Sequence, residues 1–225
     1  MYLPPFISLA FLAGLLIRHW QLTNRAVEAD RELQAAFVQR VRLAYPGKRF
    51  IFIDESSFDS RTWARRYGRS RRGRRTRYRV LFVRGERWTL LPVMSEGGVL
   101  DYMVYKGSID GFRYIDFLTN TLVPALAGLE DVVLVLDNCR IHHIQEAKNI
   151  LTDAGIEVLY LPPYSPTLNP IELMFSQVKS GVRGLPLEVR TSEPVPLLIA
   201  AAMERVTAAD CAGCYKHSCE YYSRA

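Results

Sequence analysis

A mixed α/β sheet with helices packed on it is the fold class this sequence predicts. Three observations carry the prediction: two short apolar runs each end in an aspartate, a strand-rich stretch between them reads as an antiparallel meander, and strand and helix patterns then alternate. With 225 residues, 49% hydrophobic and 23% charged, the chain has a globular composition and enough length for one well-buried domain with extensions. That balance excludes disordered and collagen-like chains.

The opening residues, MYLPPFISLAFLAGLLIRHW, hold an apolar run from Phe6 to Ile17, shorter than the roughly 20 residues of a membrane span. No Lys or Arg precedes the run and no clean small-x-small cleavage site follows, so a secretory signal is disfavoured and no membrane association is expected. Residues 1–23 are read as an apolar leader, either a packing or interface helix or a remnant of an upstream region. From Asn24 to Ala44, apolar Val27, Leu33, Phe37, Val41 and Leu43 recur near helical spacing, and Pro46-Gly47 ends the helix. KRFIFIDES then reads as a buried strand ending at Asp54.

YRVLFVRGERWTLLPVM reads as two strands joined at Arg84-Gly85-Glu86, and VLDYMVYKGS supplies another. Gly111 to Leu126 carries Phe112, Ile115, Phe117, Leu118, Leu122 and Val123 on one helical face. DVVLVLDNC repeats the first strand's design and runs into Asp137; HHIQEAKNILTDAG follows as a helix closed by Gly155. IEVLYL is one more buried strand. PPYSPTLNP then separates it from the helix IELMFSQVKSGVR, its prolines fixing the path that places Glu172, with Tyr164 expected to pack over the sheet edge.

In open α/β sheets functional groups gather at the carboxyl ends of strands, which is where Asp54 and Asp137 fall. Taken singly, each also fits a turn or helix-cap carboxylate, and Glu172 fits the first turn of a helix, where the dipole favours an acid. Asn138, Arg140, His142 and His143 follow Asp137 and could contact a phosphate or order a metal site, but capping or surface hydrogen bonding is at least as well supported.

The formal net charge is +6, and ten of the 29 basic residues lie in RTWARRYGRSRRGRRTRYR, between Arg61 and Arg79. Concentrated arginine with interleaved Trp63, Tyr67 and Tyr78 suits phosphate pairing and stacking on bases or sugars. Arg65, Arg66, Arg69, Arg71, Arg72, Arg74, Arg75 and Arg77, with Arg140, are the candidate contacts to double-stranded DNA. Nuclear targeting is an overlapping use of the same run. Cys211, Cys214 and Cys219 with His217 offer a cramped zinc set, against which reduced thiols are the favoured reading; Cys139 stands apart.

The segments FIDESSFDSRTWARRYGRSRRG, LVLDNCRIHH and LPPYSPTLNPIELMFSQVKSGVR resemble the catalytic domain of mariner-like DDE transposases and the related bacterial insertion-sequence enzymes. The resemblance spans roughly Asn24 to Arg183, with a weaker continuation through AAMERVTAADCAGCYKHSCEYY. It implies a ribonuclease-H-like fold in which an antiparallel meander leads into parallel strands, with helices on both faces. Residue by residue, it places the catalytic, metal-binding acids on Asp54, Asp137 and Glu172, the last two separated by 34 residues, as in one branch of the family.

The implied cofactor is Mg²⁺, as two ions for which Mn²⁺ can substitute, and the implied activity is DNA cleavage and strand transfer in cut-and-paste transposition. Homodimerisation is implied too. The family's paired helix-turn-helix modules find no counterpart before Asp54, so a full-length transposase or another recognition partner is expected. Residues 24–185 are read as the catalytic domain and 186–225 as a C-terminal helical extension. The implied location is the nucleus in a eukaryote and the cytoplasm otherwise. A catalytically inactive or domesticated DNA-binding remnant is the alternative reading, and a secreted hydrolase, prompted only by the leader, a third.

Overall fold

A computed structural model describes residues 31–59, 62 and 86–218. The leader, the arginine run from Arg65 to Arg77, its aromatic residues Trp63, Tyr67 and Tyr78, and Cys219 lie outside the described residues.

Helix α1 (Arg31–Ala44) leads into β1 (Arg49–Ile53) and β2 (Ser56–Phe58), then the hairpin β3 (Trp88–Ser95) and β4 (Gly98–Lys106). Helices α2 (Gly111–Phe117) and α3 (Val123–Leu126), strand β5 (Val132–Leu136), helix α4 (Gln145–Asp153) and strand β6 (Glu157–Tyr160) follow. Helices α5 (Ile171–Gly184), α6 (Leu187–Ser192), α7 (Val195–Met203) and α8 (Ala208–Ser218) complete the described chain.

The sheet order is β2-β3-β1-β5-β6, with β4 on β3. Strand β3 pairs antiparallel with β1, β2 and β4, whereas β1–β5 and β5–β6 are parallel. Strands β1 and β2 share one register against β3, so they are a single line of chain whose pairing lapses at Asp54 and Glu55. In that register Asp54 stands opposite Pro92, which brings no amide donor to the ladder.

Side-chain alternation along the strands sorts the core into two. Phe50, Phe52, Val133 and Val135 pack on one face with Phe37 and Val41 of α1, with Met174, Phe175 and Val178 of α5, and with residues of α7 and α8. Ile51, Ile53, Leu134 and Leu136 pack on the other with Tyr114, Phe117, Leu122, Ala147 and Leu151. Helices therefore cover both faces. Helix α8 is pinned by Tyr215, whose buried hydroxyl lies 2.8 Å from the Phe50 carbonyl and 3.1 Å from that of Met94.

Several local expectations need correction. On α1 only Phe37 and Val41 are buried, while Leu33 and Leu43 are 52% and 74% exposed. The helix expected over Gly111–Leu126 is interrupted by a wide turn at Leu118–Leu122, in which the Val123 amide donates to the Leu118 carbonyl. Pro124, which has no N–H and crowds the preceding turn, follows at once. Residues Arg140–His143 form a 3₁₀ turn, and α4 begins only at Gln145. Tyr164 is 59% exposed with φ at 52°, so it does not pack over the sheet edge.

Candidate active site

Parallel pairing of β1 with β5 aligns Phe52 with Val135. Continued by two residues, the same register sets Asp54 beside Asp137, on neighbouring strands about 4.8 Å apart. Alternation turns both toward the face covered by α5, because Phe52 and Val135, two residues earlier, lie in that core.

Helix α5 brings the third acid. Its buried stripe of Ile171, Met174, Phe175, Val178 and Val182 has helical spacing and seats it on this face, leaving Glu172 in the first turn at the solvent border. The 3₁₀ turn Pro166–Leu168 lies just before it, and buried Asn169 donates from Nδ2 to Asp54 Oδ2 at 2.7 Å. Burial, then the charges of Glu172, Asp137 and Glu55, push the Asp54 carboxyl up to about 8. Burial also raises Glu172, opposed by Lys179 and reinforced by Asp137.

Asp137 is held differently. Its Oδ1 lies 2.8 Å from His142 Nδ1 and accepts from the Cys139 amide at 3.0 Å. Burial raises this carboxyl, but His142 and the Cys139 amide outweigh it and leave Asp137 below its usual range. His142 is buried rather than a surface or capping group: burial opposes its charge, yet the neighbouring carboxylates of Asp137 and Glu55 raise its imidazole to about 10. His143 instead stacks on Tyr160 with ring centroids 4.5 Å apart, and its Nε2 lies 2.7 Å from Asn138 Oδ1. Arg140 is exposed in the same turn.

Asp54, Asp137 and Glu172 are thus brought into one electrostatic neighbourhood. Sequence reasoning missed Asn169, Glu55 and Lys179. The adjacency of Glu55 to Asp54 and of Asn169 to Pro170-Ile171-Glu172 was the available signal.

The donor chemistry fits a hard divalent cation. Carboxylate oxygens are its preferred ligands, and the crowding of negative charge that raises Asp54 is what a cation would relieve. Among the described residues no three His, Cys, Asp or Glu side chains enclose an ion by themselves. Mg²⁺ does not need such a cage, since it usually binds through one or two carboxylates plus substrate phosphates and water. Cys211 and Cys214 are buried in the core as free thiols, with His217 exposed.

The family model for DDE superfamily endonucleases matches residues 49–190, from the start of β1 into α6. The chain belongs to that family. This DDE domain is also similar in structure to the transposase of the Mos1 mariner paired end complex with Mn, at TM-score 0.68 and 19% identity over 91% of this chain. It covers 65% of that transposase chain, just under two thirds of its length. The Mos1 transposase catalytic domain with Raltegravir and Mg gives TM-score 0.61 at 18% identity, covering 85% of this chain and 89% of that one. The catalytic domain of Mos1 mariner transposase gives 0.54 at 16%, covering 87% and 98%. No curated protein matches by sequence. At these identities the likeness is one of fold, and the DDE domain is ribonuclease-H-like, with the mixed sheet and two-sided helix cover expected. Among the described residues no helix is long and apolar enough to cross a membrane.

Proposed function

We propose that the chain is the catalytic domain of a cut-and-paste DNA transposase that cleaves and rejoins DNA strands with divalent metal ions. The observation that carries this reading is the register of β1 with β5, which sets Asp54 beside Asp137 on the face where α5 supplies Glu172. Asp54, whose carboxyl feels the charges of both Glu172 and Asp137, would together with those two acids hold two Mg²⁺ or Mn²⁺ ions. When bound, two such ions supply activation of a water or DNA 3′-hydroxyl and stabilisation of the leaving oxygen.

The protein's own residues prepare that chemistry. Asn169 orients Asp54 through Oδ2, and His142 orients Asp137 through Oδ1. Lys179, half-buried on α5 and held below its usual range by burial, lies near Glu172 and Asp59 and adds positive charge beside the acids. Arg140 and the arginine run from Arg65 to Arg77 are assigned to the DNA backbone, giving affinity without sequence readout. Homodimerisation, a separate recognition partner and the nuclear or cytoplasmic setting belong to the same reading.

The test is nicking of supercoiled plasmid by purified protein with Mg²⁺ or Mn²⁺, beside folded Asp137→Asn and Glu172→Gln variants. Nicking by the wild type that falls below detection in both variants is the expected result. Binding without cleavage, identical in all three proteins, would instead establish a DNA-binding remnant.

A further inference from the structure

Asp54 and Glu55 are neighbours in the chain but face opposite sides of the sheet. Asp54 turns to the α5 side. Glu55 turns to the α2 side, near the buried Tyr114, whose hydroxyl it helps to keep protonated. There it meets His142, whose side chain is 0% exposed.

The imidazole bridges two strands. Its Nδ1 is 2.8 Å from Asp137 Oδ1 and 3.2 Å from the Asp137 carbonyl oxygen, and its Nε2 is 3.5 Å from Glu55 Oε1. Both Nε2 and Oε1 are buried, and neither has a hydrogen-bond partner within bonding geometry, so each is the other's nearest complement. A second buried contact steadies the ring: Tyr114 lies 4.9 Å away, centroid to centroid. The Tyr160 hydroxyl donates to the His142 carbonyl at 3.2 Å, tying the 3₁₀ turn to β6. At Asp137 the contacts from His142 and the Cys139 amide both fall on Oδ1, so Oδ2 is the oxygen left for a metal ion.

We propose that Glu55 and His142 are positioning residues, forming a chain Glu55–His142–Asp137 that holds the Asp137 carboxylate in one orientation relative to the strand bearing Asp54. The role in metal binding rests on the function proposed above; the line of contacts from Glu55 through His142 to Asp137 does not. Such partners behind a ligand orient it and tune its basicity, and removing one typically lowers metal affinity or activity about 10–100-fold.

Two measurements on the full chain test this. In metal-free buffer, ¹H–¹⁵N spectra of histidine-labelled protein should show a slowly exchanging His142 ring N–H that shifts in both Glu55→Gln and Asp137→Asn. Mn²⁺ binding, followed by the electron paramagnetic resonance of the free ion, should weaken about 10–100-fold in Glu55→Ala. Glu55→Gln should recover most of that loss, because its amide oxygen can still accept from Nε2. Should Glu55→Ala fail to fold, the ring resonances of Glu55→Gln and Asp137→Asn decide alone.

Ring nitrogens indifferent to both substitutions would overturn the chain, whatever the protein does with metal. Equal Mn²⁺ affinity in wild type and Glu55→Ala, or equal loss in Glu55→Ala and Glu55→Gln, would overturn the positioning role. A wild type that binds no Mn²⁺ but shows the coupled ring proton would remove the metal-dependent function and leave the chain standing.

Discussion

Burying Asp54 beside two other carboxylates makes its proton harder to remove, and the sign of the consequence follows. A folded pKa of about 8 lies above the ordinary 3.8, so Asp54 contributes stability below the ordinary value and loses it as pH rises through about 8. His142 acts in the same direction, its contribution present below 6.5 and lost as pH rises through about 10. Ion-free protein should therefore show a melting temperature that falls from about pH 4 to about pH 8, and the fall should be shallower in Asp54→Asn. Mn²⁺ affinity should climb over the same window, because proton and metal compete for one carboxylate. A flat affinity profile would contradict the assignment of Asp54. Asp54 and Asp137 were legible as strand-end acids and Glu172 as a first-turn acid, while their grouping came only from what the family resemblance implies. Asn169 was not, since its bond to Asp54 joins positions 115 apart and no local pattern signals it. His142 was misjudged for a related reason: adjacent histidines look equivalent in sequence, yet one is buried against Asp137 and the other stacks on Tyr160.

Among the elements, the two parallel strands after α3 were the most legible, since the five-residue run VVLVL and the apolar stretch VLY leave little choice of extent. Helices were read less well where a single residue changed the hydrogen-bond pattern. Pro124 lies within a continuous apolar stripe, so periodicity alone extends one helix from Gly111 to Leu126, whereas the chain widens before the proline. The C-terminal helices carried weak amphipathic signals, and their role depends on long-range contacts such as that of Tyr215 with the carbonyls of Phe50 and Met94. Tyr215→Phe keeps the ring's edge-on packing against Phe52, 5.4 Å between centroids, but leaves buried carbonyls short of a donor. Urea unfolding should show a loss of about 1–3 kcal/mol. A change within error would mean that α8 is held by apolar packing alone.

For the molecule as a whole, a net charge of +6 is modest, but its concentration between Arg61 and Arg79 makes binding to a polyanion strongly salt-dependent. Replacing Arg71, Arg72, Arg74 and Arg75 with glutamine should weaken duplex binding regardless of sequence. The slope of log affinity against log salt should become shallower by about 0.9 for each phosphate that is no longer neutralised, which a titration series by fluorescence anisotropy would read. An unchanged slope would remove this arginine run as the proposed DNA contact. The pairing of β1 with β5 has one more consequence. Because the first two acids are brought together by strand register, the length of chain between them does not enter their spacing. A peptide grafted into the exposed hairpin turn at Glu96-Gly97 would leave that spacing untouched. Removing one residue from β5 would carry Asp137 to the opposite face. The β3–β4 hairpin of the DDE domain is therefore a natural port for attaching a foreign module.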